Sequence, residues 1–420
     1  MKVFLLLALL PSITGAAEKK DAPAPPPTIS AKVAGLERRA GFLDLYWDAV
    51  AGRLYATVRP GEELLHQTTL SHGLGSNPVG LDRGQLGPTR LVAFERRGPT
   101  VLLVQKNLRF RALDGTPAER GAVESSFARS VIWGGTVAAE EAGQVLVDVT
   151  SLLVSDQHGI AAQLRATGQG DYAPDEARSA VDPAFCRAFP KNSEAEADLT
   201  FVARAQAGPL VASVTPAPTA VTVRVRHSFV ALPEPGYTPR AFDPRAGVNY
   251  DEVYDYASPF TGPLVKRWVN RHRLQKKDPS AAVSEVVKPI VYYLDPAAPE
   301  PIRGALLDGA SWWGAAFEAA GFKNAYEVRM LPEGADPMDV RYNIIQWVHR
   351  STRGWSYGSS VTDPRTGEIL KGNVTLGSLR VRQDHLIASG MRSPWTTGPT
   401  RPPGPARATR RSWPSTASVS

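Results

Sequence analysis

The sequence predicts an α+β chain in which a β-rich antiparallel domain over residues 39–230 precedes a shorter sheet with one backing helix over residues 286–390. Three observations carry that prediction. Short alternating apolar runs, punctuated by Gly, Pro and Asp, fill residues 41–230 in the manner of antiparallel strands. Helical spacing of apolar residues first emerges after Pro289. Cys186 is the single cysteine of the 420 residues, which excludes an internal disulfide framework and a Cys-rich metal site, so the fold rests on burial.

From the N-terminus, Lys2 precedes an apolar run at residues 3–10, and then come Thr14, Gly15, Ala16 and Ala17, small residues of the kind a signal peptidase requires. Residues 1–17 therefore read as a secretory signal peptide, since about eight apolar residues fall far short of the roughly twenty that span a bilayer. No later stretch reaches that length, and the mature chain is expected in the periplasm or secreted, without a transmembrane helix. Residues 18–38 form an Ala- and Pro-rich spacer. The net charge of +7 suggests nucleic acid only superficially. Arg392, Arg401, Arg407, Arg410 and Arg411 have no acid near them, and without these five the formal charge is +2, which argues against a nucleic-acid partner.

Strands are expected at residues 54–58, 101–104 and 145–149. Another is expected where Val221, Val223 and Val225 alternate with Thr222, Arg224 and Arg226, placing valines on one face and polar groups on the other. Residues 231–285 are aromatic, charged and turn-rich, as in a connector wrapped on a neighbouring domain. A strand at 290–294 follows, and then Pro301 opens a helix whose buried face carries Ile302, Leu306, Ala310, Trp313 and Phe317, ended by Gly321. Strands at 326–331 and 342–348 complete an α/β layer. Strands at 357–361 and from 369 onward flank the turn formers of residues 363–368, giving a hairpin at the sheet edge. In residues 391–420 Pro, Arg, Thr and Ser displace aliphatic residues, which reads as a disordered tail, either natural or translated out of frame.

Candidate chemistry is sparse. The seven histidines, His66, His72, His158, His227, His272, His349 and His385, include no pair four apart, and none is followed by Glu. Residues 372–378 lack the lysine of a phosphate loop, Gly73-Leu74-Gly75 lacks the third glycine of a dinucleotide fingerprint, and no G-x-S-x-G occurs. Asp156 with His158 could form an acid/base pair, but a turn-capping Asp is the commoner arrangement. Arg271, His272 and Arg273 with Lys276 and Lys277 suit a solvated face or an interdomain salt bridge better than an acidic partner. Trp312, Trp313 and Trp347 are expected in the core, and Trp355 is left open.

Five stretches have a further meaning. They are Gly73-Leu74-Gly75-Ser76-Asn77 with Gly80-Leu81-Asp82-Arg83-Gly84; Tyr237-Thr238-Pro239-Arg240 with Phe242-Asp243-Pro244-Arg245; Arg271-His272-Arg273-Leu274; Lys288-Pro289-Ile290-Val291-Tyr292-Tyr293-Leu294-Asp295; and the run from Asp336 through Trp347-Val348-His349-Arg350 to Arg382-Gln383-Asp384. Through them the chain, from about Gly35 to Ser389, resembles a family of large bacterial exported zinc-dependent metallopeptidases with an N-terminal β-rich domain of unknown function. The resemblance implies that residues 286–390 are the incomplete upper half of a metzincin-like catalytic domain, a twisted sheet plus backing helix. It also implies an HExxH helix soon after Gln383-Asp384, a third zinc ligand and a methionine turn, none of which the sequence contains.

The resemblance thus points to an N-terminal fragment of a secreted zinc metalloendopeptidase. Its zinc and its catalytic residues would belong to the full-length family, and this chain would be catalytically incompetent. The alternative is a non-catalytic peptide-binding or interaction protein on the same scaffold. A third expectation is an unstable fragment, because half a catalytic domain leaves the sheet and the helix that begins at Ile302 incompletely covered. Metzincin-type enzymes hold an extended peptide or protein substrate beside the antiparallel edge strand of the upper sheet. By resemblance that edge is Tyr357, Gly358, Ser359, Ser360 and Val361, small enough in the middle for a peptide backbone to approach. The competing expectation is an edge that faces water or another segment.

Overall fold

The computed structural model describes residues 26–352 and 354–391. The signal segment, the start of the spacer and nearly all of the expected tail lie outside the described residues.

Twelve antiparallel strands form the first sheet. It runs from Glu37–Arg39 through Leu45–Asp48, Arg53–Val58, Gln144–Asp148, Ser130–Glu141, Thr100–Gln105, Arg90–Arg97 and Glu63–His72. It continues through Ala220–Val230 and Asn192–Ala203 to Tyr172–Val181, and Arg187–Ala188 pairs with Asn192–Ala203. Its two ends nearly meet. The Phe42 amide donates to the Phe189 carbonyl at 2.8 Å, and Ser193 Oγ donates to the Leu43 carbonyl at 2.7 Å. Curling the sheet this way removes most of the unpaired edge and encloses a core of Leu54, Leu70, Phe94, Leu103 and Phe201, all fully buried.

Val221, Val223 and Val225 enter that core as their alternation predicts. The opposite face of the same strand is polar, as the alternation predicts, but much of it is enclosed rather than open to solvent. Arg224 sits 2.7 Å from Asp198 and 2.9 Å from Asp182, while Arg226 lies 2.6 Å from the buried Glu196. Charged groups drawn from water are kept by pairing, and Lys371 of the second sheet, with Met338 from the loop before Asn343–Val348, lies beside Glu194 and Arg226 on this face.

The connector is more ordered than a wrapped coil. Its hairpin, Tyr250–Asp255 with Val265–Val269, adds Phe110–Arg111 in parallel to make a three-stranded sheet. Asp255 binds the two parts, accepting from the Leu113 amide at 2.9 Å and pairing with Lys266 at 2.5 Å.

The mixed sheet is built on Ile290–Leu294, which has parallel neighbours Tyr326–Met330 and Asn343–Val348 on its two sides. Glu368–Gly377 lies parallel to Asn343–Val348, and Tyr357–Asp363 closes this side as an antiparallel edge strand. The short strand Arg271–His272 joins Glu368–Gly377 from the connector. Parallel neighbours need a crossover, and here it is two helices, Ile302–Ser311 and Trp313–Ala319, rather than the single helix that the spacing suggests. Ile302, Leu306 and Ala310 pack against Leu294, Ile345 and Trp347.

The two helices meet at Trp312, and Leu306, Ala310, Trp313 and Phe317 still line one side of a recess against the sheet, so the apolar stripe continues but is incompletely covered. Trp312 is 73% exposed and Trp313 64%, which corrects their expected place in the core, whereas Trp347 is buried as expected. Phe317 stacks on Tyr326 with ring centroids 5.5 Å apart. An apolar recess of about 480 Å³ lies between these helices and the sheet. The helix Ser378–Gly390, not anticipated from the sequence, ends the described chain with none of its residues buried.

Candidate functional site

The edge strand Tyr357–Asp363 pairs with Glu368–Gly377, Tyr357 facing Thr375, Ser359 facing Asn373 and Val361 facing Lys371. In an antiparallel strand successive residues turn their backbone groups to alternate sides. The Thr362 amide reaches outward to Thr89 Oγ1 of the large sheet's domain at 3.5 Å. The register shifts between Val361 and Thr362. Before that shift the Gly372 amide, opposite Ser360, turns away from the edge strand to Asn343 Oδ1 at 2.7 Å, so Ser360 and, two residues earlier, Gly358 turn their N–H and C=O groups away from the sheet. Gly358 is exposed, and Ser359 and Ser360 are half-buried. Two residues before the strand, Trp355 presents an indole 66% exposed. All five residues expected at this edge, Tyr357, Gly358, Ser359, Ser360 and Val361, lie in the strand, with Val361 turned into the protein.

What fixes the edge in space is a clasp from the large domain, formed by residues 73–84. Asp82 Oδ2 lies 2.8 Å from Arg350 Nε, with both side chains 2% exposed, and it also accepts from Asn77 Nδ2 at 2.9 Å. Arg350 Nη1 reaches the Trp355 carbonyl at 3.0 Å, tying the pair to the segment that enters the edge strand. The Ser351 amide donates to the Gly75 carbonyl at 2.8 Å, Arg83 Nη1 to the Trp347 carbonyl at 3.1 Å, and Asn373 Nδ2 to the Gly84 carbonyl at 2.9 Å.

Glycine is required at two of these positions for different reasons. Gly84 has φ +84°, where an L side chain is strained. A Cβ on Gly73 would stand 2.3 Å from the Arg83 nitrogen. The glycine-rich stretch, which fits no dinucleotide or phosphate motif, is thus a docking loop.

A second junction involves Glu194 and Lys371. Glu194 accepts from Ser228 Oγ at 2.6 Å and from Asn192 Nδ2 at 2.6 Å, and Lys371 Nζ donates to the Asp339 and Pro337 carbonyls. Burial pushes the Glu194 carboxyl up and the Lys371 ammonium down, each away from its charged form. Asn192 completes the junction, donating to the Met338 carbonyl at 3.0 Å and accepting from the Val340 amide at 3.1 Å.

The other sequence candidates resolve into structural roles. Asp156 caps a helix, its carboxylate accepting from the amides of Gly159, Ile160 and Ala161 at 2.8–2.9 Å. His158 instead bonds Thr68 Oγ1 at 3.0 Å, and burial lowers its pKa to about 4. Arg273 makes a two-pronged pair with Glu368, both bonds 2.8 Å, and Lys277 pairs with Glu285 at 2.8 Å. That basic stretch is therefore an internal tie. Cys186 is fully buried, and its thiol is pushed up to about 11 by burial.

The sequence reading missed a histidine pair. His66 Nε2 and His227 Nδ1 are 3.1 Å apart, both fully buried, on neighbouring strands. Burial lowers the His227 pKa to about 3. Only strand register, unavailable from composition, brings residues 161 positions apart together. Among the described residues no group of three or more His, Cys, Asp and Glu is arranged to hold a metal ion, and no helix is long and apolar enough to cross a membrane.

Between the edge strand, the Gly87-Pro88-Thr89 loop and the connector hairpin lies a polar recess of about 630 Å³. Asp251 stands in its wall, accepting from Asn270 Nδ2 at 2.8 Å, with its pKa raised by burial.

Residues 84–277 match a family described as a domain of unknown function, DUF5117. The chain is similar to that family from the Gly84 turn of the clasp, through most of the large sheet, to the end of the connector hairpin. The mixed sheet from Ile290 onward and its edge strand lie beyond the match. No curated protein matches the chain, and no solved structure does.

Proposed function

We propose that this chain binds an extended polypeptide by strand addition along Tyr357–Asp363, as the substrate-holding part of an exported, metzincin-like zinc endopeptidase. The observation that carries the reading is the open outer side of that strand. Gly358 and Ser360 direct backbone donors and acceptors outward, side chains there are small, and the strand sits at the margin of a sheet whose other members are parallel. Strand addition gives affinity through main-chain hydrogen bonds and specificity through pockets under alternate side chains. The long resemblance of residues 35–389 to exported zinc peptidases supports the assignment of the bound polypeptide as a substrate.

Zinc in such enzymes is held by two histidines one helical turn apart, with a third ligand. The histidines of this sequence do not fit that pattern, and no described residues form a metal-holding group. No bond-breaking step is therefore derived for this chain, and its own residues supply the peptide-holding edge. A second reading is a non-catalytic peptide-binding protein on the same scaffold, which uses the same edge.

The test is fluorescence anisotropy with labelled extended peptides and their backbone N-methylated counterparts. Methylating the peptide amide that faces the Ser360 carbonyl is expected to weaken binding about tenfold, the effect of losing a hydrogen bond and stranding its acceptor. Ser360→Pro, which removes the outward donor, is expected to weaken the unmodified peptide similarly. Equal affinity for both peptides would refute strand addition.

A further inference from the structure

We infer that the polar recess beside the edge strand is a binding site for the guanidinium or ammonium group of a basic residue in the bound polypeptide, with Asp251 as its anionic partner. This inference rests on the strand-addition reading and names the class of peptide the edge selects.

The recess is placed to receive a side chain. Ser360 and Thr362, two residues apart and therefore on one face of the edge strand, form one wall. A peptide paired along the outer side of that strand would send every second side chain toward the same face. The opposite wall is the start of the connector hairpin, where Asp251 faces Trp268 across the pair of strands. At about 630 Å³ the space is ample for an arginine side chain and several waters.

The chemistry of the walls is one-sided. Among the described residues lining the recess, Asp251 is the one with a charge. One carboxylate oxygen accepts from Asn270 Nδ2 at 2.8 Å, and the other takes no hydrogen bond from a described residue. No Lys or Arg among the described residues comes within ion-pair distance of it. The nearby Arg111 is occupied elsewhere, giving Nη1 to the Arg365 carbonyl at 3.1 Å and Nη2 to the Pro364 carbonyl at 2.6 Å. Arg365 is occupied too, paired with Asp363 at 2.8 Å.

Asp251 is thus a carboxylate that has lost much of its water without a directly paired cation, since Arg111 attracts it only from a distance and burial outweighs that attraction. The cost of that is visible in its carboxyl, which burial holds above the usual range. A cation brought by a ligand would relieve it. The hydroxyls of Thr89, Ser360 and Thr362 supply further acceptors for a donor-rich group such as guanidinium. An acidic side chain would meet Asp251 with like charge, and an apolar one would strand the polar walls.

The experiment uses the full chain and two probes, n-butylguanidinium alone and extended peptides that differ at one position as Arg, norleucine or Glu. n-Butylguanidinium is expected to bind wild type and to lose that binding in Asp251→Asn. Asp251→Glu, which keeps the charge, is expected to retain it and so separates charge from any loosening of the hairpin. Peptides with Arg are expected to bind about tenfold or more tightly than those with norleucine, as a charge-assisted hydrogen bond in a partly dry site predicts, with that preference lost in Asp251→Asn.

Failure of n-butylguanidinium to bind wild type, or an Arg preference unchanged in Asp251→Asn, would overturn the inference while leaving strand addition intact. Asp251-dependent capture of n-butylguanidinium without binding of any peptide would uphold the recess as a cation site and refute strand addition.

Discussion

Replacing Asp82 with Ala removes one member of the most deeply buried ion pair between the large domain and the mixed sheet. The partner left behind, Arg350, has a side chain only 2% exposed, and its one remaining described bond runs from Nη1 to the Trp355 carbonyl. Breaking a buried pair from one side strands a charge at a cost of about 3–5 kcal/mol, whereas exchanging both members for apolar groups is often near neutral. Asn77 Nδ2 also loses its acceptor, which adds to the cost.

The expected result for Asp82→Ala is therefore loss of about 3–5 kcal/mol of protection in the clasp and the edge strand. Residue-resolved hydrogen exchange of residues 346–363 would register this as at least a hundredfold faster opening, since each 1.4 kcal/mol is about a factor of ten. The double variant Asp82→Ala, Arg350→Met is expected to recover most of the loss. If the single variant stays within about 1 kcal/mol of wild type, or the double variant is worse than the single one, the clasp does not hold the edge as described.

Other perturbations reach other parts of the molecule. Gly73→Ala places a Cβ 2.3 Å from the Arg83 nitrogen, so the docking loop must shift, and a loss of about 1–3 kcal/mol is expected in urea unfolding followed by tryptophan fluorescence. Phe201→Ala empties a fully buried site in the large core and is expected to cost about 3–5 kcal/mol in the same assay.

Stability should also fall in acid. His227, His158 and His272 are held neutral by burial, with pKa values lowered to about 3, 4 and 4. The unfolded chain takes up protons near pH 6.5 that the folded chain refuses, so their contribution is complete above that pH and is lost as pH falls toward 4. Each group contributes a slope of about 1.4 kcal/mol per pH unit across this window, measurable as urea midpoints from pH 7 to pH 4.5. Cys186 is expected to resist maleimide labelling in the native chain and to react fully in denaturant, because its thiol is buried with a pKa of about 11.

Local pattern made much of this fold readable. The alternating valines of Ala220–Val230, the strand Ile290–Leu294 and the hairpin around residues 363–368 lie where apolar period and turn residues put them. What pattern could not supply is register and packing between distant segments. Arg224 and Arg226 look like surface residues by alternation, yet they belong to a largely enclosed charged layer because the acids facing them sit on the next strand, at the buried Glu196 and Glu194 and the half-exposed Asp198.

Trp313 continues the helical stripe of Ile302, Leu306 and Ala310 yet stays exposed because the recess it lines is not filled, and Trp312 sits at the junction of the two helices, outside that stripe. At the edge strand, residues 357–361 were legible as a strand end. Asp251 was not, since it comes from a connector hairpin about a hundred residues earlier whose fold depends on Phe110–Arg111. The clasp was visible as a glycine-rich motif, but its purpose emerges only from the contacts of Asp82, Gly84 and Gly75 with the mixed sheet.

Residue-resolved hydrogen exchange with and without a saturating extended peptide tests the central claim most directly. Strand addition predicts that the peptide slows exchange at the Gly358 and Ser360 amides, with Ser359 and Val361, which face the sheet, changing little. Protection confined to any other part of the molecule, or equal at all four amides, would contradict it.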